Sequence, residues 1–165
     1  MNLEYSVGIP VRNEENSIKG TLESILAQTL MPKQIYVCVN GSTDSTLDIV
    51  EEMSKKEPLI KVLASNPGKP NAWHKIIAET KTNYNLFCDG DVIINKTAAE
   101  ELINVLENKQ KLILVSGSNA YKTSNANSFF SKYFAENITG NQIQQGWICG
   151  RLYMLKINEL RSLCS

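Results

Sequence analysis

The sequence predicts an α/β domain in which a mainly parallel sheet carries helices on both faces. Two observations point to it. Short apolar runs alternate along the chain with segments whose apolar residues recur at helical spacing, which is the pattern of successive βα units. The run from Tyr84 to Cys88 reads as a short, mainly apolar segment, as a parallel strand buried on both faces does. A third observation bears on function. Asp89-Gly90-Asp91 directly follows the apolar run from Tyr84 to Cys88, and open α/β sheets gather ligands beyond the carboxyl ends of their strands.

Tyr5 to Pro10 reads as the first strand. Asn13 offers an N-cap after it, and Glu14 and Glu15 fall in a first turn, where negative charge suits the helix dipole. Ile18, Leu22, Ile25, Leu26 and Leu30 then follow at helical spacing until Pro32 closes the unit. Gln34 to Val39 is the second strand, and the loop Asn40-Gly41-Ser42-Thr43-Asp44 can cap a helix carrying Leu47, Val50 and Met53. Ile60 to Ala64 is the third strand, Asn66-Pro67-Gly68 a turn, and Asn71 to Thr80 a helix. The fourth strand ends at Asp89. Asn95 then caps a helix with Ala99, Leu102, Ile103 and Leu106 on one face, and Leu112 to Ser116 is a fifth strand. From Gly117 the regularity fades, apart from a weak helical stretch around Phe129 to Glu136.

The bulk properties exclude several classes. A chain of 165 residues holds one domain with a real core and is too short for two ordinary ones. Lys+Arg and Asp+Glu are 17 each, so no basic excess points to nucleic acid. No apolar run is long enough for a membrane span, and the N-terminus lacks a signal-peptide pattern. Cys38, Cys88, Cys149 and Cys164 are widely spaced, with no Cys-x-x-Cys pair, so structural zinc is not expected and a reduced, cytoplasmic location is.

Two aspartates at i and i+2 project to one side of extended backbone, and Gly90 between them leaves the main chain open to close approach. Converging carboxylates repel unless a cation joins them, and oxygen donors suit Mg²⁺ or Mn²⁺. The same residues also suit a plain turn, since Asp-Gly is a common turn pair. Other α/β chemistries lack their parts. Pro10-Val11-Arg12-Asn13-Glu14 is not a glycine fingerprint, so neither a dinucleotide nor a P-loop is indicated. The one histidine, His74, lies in a predicted helix as a packing or surface residue, and Gly-x-Ser-x-Gly is absent.

The order of these motifs resembles the family 2 glycosyltransferases of the GT-A fold. Val7 to Glu15 looks like their opening strand and loop, Val39 to Thr46 like their second strand-to-helix loop, and Gly68-Lys69-Pro70-Asn71-Ala72 like their Gly-Lys-x-x-Ala segment. Asp89-Gly90-Asp91 matches their DxD motif. The resemblance covers residues 5 to about 116 well and 117 to 165 loosely. It implies a GT-A, Rossmann-like sheet and a single domain over 1–165, with 1–116 as the nucleotide-sugar-binding half and 117–165 as an incomplete acceptor-side half. It also implies metal-assisted, inverting transfer of a sugar from a nucleoside-diphosphate sugar to the hydroxyl of a saccharide or lipid-linked acceptor. Pro10, Arg12 and Glu14 would lie against base and ribose, Asn40 would face the base edge, and Lys69 would reach the base or diphosphate. Asp89 would contact ribose or metal, Asp91 would ligate the Mn²⁺ or Mg²⁺, and both would be catalytic through that ion. A cytoplasmic protein, with an attachment at the inner membrane face as a further option, goes with this reading. Plainer roles stand beside these: Lys69 as a solvated lysine, Ser42 to Asp44 as a helix cap, Glu14 as a dipole partner.

The sequence departs from the family at two places. Asn40 stands where an aspartate is usual, which leaves uracil first and guanine second as the base, with Asn40→Asp expected to tolerate or strengthen uridine diphosphate binding. Gly146 to Tyr153 resembles the acceptor-side stretch before the family's catalytic base, yet Glu159 is the only acid after it, in what looks like a helix start. The base is therefore expected beyond Ser165, and the isolated chain is expected to bind a donor more readily than to transfer its sugar. A phosphatase-like hydrolase would carry its Asp-x-Asp on the first core strand, and a nucleotidyltransferase would carry a glycine-rich first loop. A non-catalytic or truncated nucleotide-sugar-binding module is the alternative from another class.

Overall fold

The computed structural model describes residues 3–108, 113–117 and 151–163. Its strands are β1 (Tyr5–Val11), β2 (Gln34–Val39), β3 (Ile60–Ala64), β4 (Tyr84–Cys88), β5 (Leu114–Ser116) and β6 (Leu152–Lys156). Its helices are α1 (Ile18–Leu26), α2 (Thr46–Lys56), α3 (Lys69–Glu79), α4 (Ala98–Asn108) and α5 (Ile157–Leu163). The six strands form one sheet in the order β3-β2-β1-β4-β6-β5. β3, β2, β1 and β4 are mutually parallel, so their carboxyl ends share one edge.

β1 is central and buried on both faces: all seven of its residues are buried, and Tyr5, Val7, Ile9 and Val11, which share one face, are at most 1% exposed. Those four side chains join Ile18, Leu22 and Ile25 of α1, Val50 of α2 and Ile103 and Leu106 of α4 in the larger core. The opposite face is covered by α3, whose Ala72 and Ile76 pack with Tyr36, Cys38, Phe87, Tyr153 and Leu155. Gly8 belongs to this second face. A Cβ there would stand 2.6 Å from Ile76 Cγ2 and 3.0 Å from Asn85 Nδ2, so the missing side chain is what lets α3 approach the sheet.

β6 departs from the βα pattern. It runs antiparallel to both neighbours, pairing Cys88 with Leu152 and Tyr84 with Lys156 on one side and Ser116 with Tyr153 on the other. The sequence reading places no strand there, although Leu152 to Leu155 is an apolar run like the others. The run alone does not show that the strand inserts antiparallel beside β4, which is decided by tertiary pairing. The α5 helix begins where Lys156 to Leu160 suggests. Leu112, the Phe129 to Glu136 stretch and Gly146 to Gly150 lie outside the described residues.

Asn13 is a second difference. The α1 helix begins at Ile18 with Ser17 at the N-cap position, and Asn13 lies four residues earlier in a left-handed conformation, φ 56°. Asparagine tolerates that region, and the residue serves a loop instead of a helix end. The α3 helix starts at Lys69, earlier than Asn71, because Pro70 fits a first helical turn where its missing N–H is not needed.

Gly8→Ala should destabilise the fold by about 1–3 kcal/mol through overpacking between β1 and α3. A lower urea midpoint with an unchanged slope is the expected reading.

Candidate functional site

The carboxyl ends of β1, β2 and β4 and the start of α3 surround one open cleft of about 360 Å³. It is lined by Pro10, Arg12, Glu14, Asn40, Lys69, Asp89 and Asp91, with Gly68 and Gly90 between them. All seven residues singled out from the sequence thus share one hollow. His74 lies elsewhere, exposed on α3.

The cleft is shaped by a clasp between two loops. The Asn13 Oδ1 accepts the Thr43 N–H at 2.8 Å, and the Asn13 N–H donates to Ser42 Oγ at 3.1 Å. Glu14 N–H donates to Thr46 Oγ1 at 2.8 Å, Glu15 N–H to Asp44 Oδ2 at 3.2 Å, and Ser45 N–H to Glu15 Oε2 at 3.0 Å. Asp44 also accepts the Thr46 N–H at 3.1 Å, so it does help open α2. Most of the polar residues of the second loop therefore fasten the first. Their side chains replace the strand pairing that both loops lose when β1 and β2 end.

Asn40 ties in a third loop. It is 4% exposed, and both ends of its amide are engaged: Nδ2 donates to the Val11 carbonyl at 2.8 Å, and Oδ1 accepts the Gly68 N–H at 3.4 Å. Its Oδ1 keeps one acceptor position for a ligand. A carboxylate at this position would set an oxygen against the Val11 carbonyl, a cost to the fold separate from any effect on ligand binding.

Gly90 has a second reason beside the one the sequence suggests. A Cβ on it would meet Val11 Cγ1 at 2.8 Å and Glu14 Cγ at 3.2 Å, so packing within the protein requires glycine here although the residue also lines the cleft. The Gly90 carbonyl accepts the buried Thr21 hydroxyl at 2.9 Å. The Asp-Gly-Asp turn is thereby pinned to α1 while its two side chains stay at the cleft.

Each carboxylate faces a cation. Lys69 Nζ lies 2.6 Å from Asp89 Oδ1 and 5.6 Å from the centroid of the Trp73 ring, which itself packs edge-on to Phe87 and Tyr153. Arg151 Nη2 lies 3.6 Å from Asp91 Oδ2. Arg151 is brought there by β6, whose ladder with β4 is prolonged by the Asp89 N–H donating to the Arg151 carbonyl at 3.0 Å. The sequence reading missed this residue; the apolar run directly after it was the available signal. Arg12 makes no ion pair among the described residues. Burial pushes the Cys88 thiol and the Tyr153 phenol up, and the Asp89 charge adds to both, which favours their protonated forms.

Glu159 stands at the opposite end of the sheet. α5 follows β6 where β4 begins, with Ile157 N–H donating to the Asn83 carbonyl at 2.6 Å. The length of β4, roughly 16 Å for a strand of its size, separates that end from Asp89.

The residues present suit a divalent cation in one particular way. No group of three His, Cys, Asp or Glu able to hold a metal occurs among the described residues. Two carboxylates with further oxygens from substrate phosphates and water are the usual setting of Mg²⁺, and Mn²⁺ accepts the same donors. Asp89 and Asp91 are the residues that would hold such an ion.

A mostly parallel six-stranded sheet with a polar cleft across its strand ends is a GT-A-like architecture. The chain matches the model of glycosyl transferase family 2 over residues 6–155 and belongs to that family. It is 30% identical over 107 residues to poly-beta-1,6-N-acetyl-D-glucosamine synthase of Staphylococcus aureus, a match covering 64% of this chain and 26% of that protein. The chain therefore spans about a quarter of the length of the curated relatives it matches. Among solved structures it is similar to S. aureus TarS 1-349 in complex with UDP-GlcNAc, with 26% identity, a TM-score of 0.56, and coverage of 72% of this chain and 37% of that one. It is also similar to the mannosyltransferase PcManGT from Pyrobaculum calidifontis in complex with GDP-Man and Mn2+, with a TM-score of 0.72 and coverage of 97% and 46%. At 19% identity that second likeness is one of fold. No helix among the described residues is long and apolar enough to cross a membrane.

Asn40→Asp should cost about 1–3 kcal/mol of stability, the usual consequence of removing one partner from a buried hydrogen bond. Thermal unfolding near neutral pH checks it. An unchanged transition would mean that the amide bridge contributes nothing.

Proposed function

We propose that the cleft binds a nucleoside-diphosphate sugar together with Mn²⁺ or Mg²⁺, and that the protein transfers the sugar to an acceptor hydroxyl. The observation that carries this reading is the meeting of Asp89 and Asp91 with Lys69 and Arg12 at one edge of a parallel sheet, in a chain of glycosyl transferase family 2. Pro10, Arg12, Glu14 and Asn40 form the side of the cleft suited to base and ribose, and Lys69 the side suited to the diphosphate. Departure of a nucleoside diphosphate develops negative charge on the leaving group, and a divalent cation held by the two aspartates supplies the charge that stabilises it. Asp89 and Asp91 act by placing that charge. The cations nearby add point-charge attraction for the same group.

Uracil is the proposed base. TarS, at 26% identity, was solved with UDP-GlcNAc, and the free acceptor position on Asn40 Oδ1 suits a ring N–H. An N-acetylhexosamine is the first sugar to test, since it appears both with TarS and in the name of the S. aureus synthase. The acceptor is proposed to be a saccharide or a lipid-linked hydroxyl. The proton of that hydroxyl needs a base near the cleft, and Glu159 is at the wrong end of β4 for it.

Calorimetric titration with UDP should show binding with Mn²⁺ that falls at least tenfold in EDTA. Asp91→Asn should lower the Mn²⁺-dependent part and leave the unfolding transition unchanged, because Asp91 is exposed and outside the core. Equal affinity in EDTA and Mn²⁺ would remove the metal from the account.

A further inference from the structure

We propose that Arg151 is an internal counter-ion for Asp91 that competes with the metal and then turns to the diphosphate, so that metal and donor bind cooperatively. The inference rests on the donor-site reading above and adds to it the residue directly before the antiparallel strand.

The argument is one of charge. Arg12, Lys69 and Arg151 bring three cations to the cleft region, and Glu14, Asp89 and Asp91 bring three carboxylates, so the site is neutral as it stands. A divalent cation entering alone would leave the site with two excess positive charges and would have to displace the Lys69 and Arg151 ion pairs. The dianionic diphosphate of a sugar nucleotide cancels that excess. It also offers the displaced guanidinium and ammonium groups a new partner, with the planar fork of arginine suited to phosphate oxygens.

The two pairs differ in how they are held. Lys69 is at 2.6 Å from Asp89 and lies near the face of Trp73. Arg151 is looser, at 3.6 Å from Asp91, with its side chain 50% exposed, while its backbone is fixed by the Asp89 N–H. A fixed backbone under a loose side chain is the arrangement that permits exchange of partners without movement of the fold. Exposed ion pairs are weak, so the competition Arg151 offers to a metal is modest and is easily reversed.

Two effects of opposite sign follow for Arg151→Gln. Mn²⁺ alone, titrated and followed by the EPR signal of the free ion, should bind about two- to fivefold more tightly, because its competitor at Asp91 is gone. The increase in Mn²⁺ affinity produced by saturating UDP should shrink by about fivefold or more, because the diphosphate has lost a partner. Arg151→Lys, which keeps the charge without the fork, should restore part of the UDP effect. A merely structural arginine would weaken both measurements together, and that result, or no change in either, would overturn the proposal. Asp91→Asn run alongside separates the two levels of the account. If Asp91→Asn leaves Mn²⁺ binding intact, the donor-site reading fails and this inference with it; if Asp91→Asn abolishes Mn²⁺ binding while Arg151→Gln does not tighten it, only the role of Arg151 fails.

Discussion

The site depends on one buried amide. Where parallel strands stop, their last carbonyl and N–H groups lose their ladder partners, and a cleft built from strand-end loops has no rigidity of its own. Asn40 supplies it by donating to the end of β1 and accepting from the loop that opens α3. Beside it, the Asn13, Asp44 and Glu15 side chains lace the first two loops together through backbone N–H groups. The loop residues that resemble a ligand-binding sequence are thus in large part occupied with one another. What they present to the cleft is a preformed wall.

The fourth strand brings the acids to that wall, and the two cations come from elements on either side of it. Lys69 comes from α3, which covers one face of the sheet, and Arg151 directly precedes β6, which pairs along the other edge of β4. Neutrality is thereby reached from three separate parts of the chain. The same antiparallel strand that delivers Arg151 carries the chain to the far end of the sheet, and this takes Glu159 out of reach of the cleft.

Much of this was legible in the sequence, because β1 to β4 are mainly apolar runs with turn residues between them and the seven singled-out residues lie at or beyond the ends of such runs. The sequence could not show what contact alone decides. Asn13 looks like a helix cap by type and position, yet its amide is spent on Thr43 from a different unit. Gly90 looks like an opening for a ligand, and nothing local shows that Val11 and Glu14 also fill the space where a Cβ would stand. Arg151 is far from Asp91 in sequence, and only the Cys88–Leu152 pairing makes them neighbours. Asn40 was read as a base-facing group, and nothing local shows that both ends of its amide are engaged inside the protein.

The central claim is that the three strand-end loops and the Asp-Gly-Asp turn form a donor site before any ligand arrives. A crystal structure of the protein with UDP and Mn²⁺ tests it most directly, with the metal located by its anomalous scattering. The account predicts the ion on Asp91 against the diphosphate, the Asn13–Thr43 and Asn40–Val11 bonds intact, and Arg151 turned from Asp91 toward phosphate oxygens. A metal or diphosphate bound away from Asp89 and Asp91, or loops rebuilt around the ligand, would contradict it.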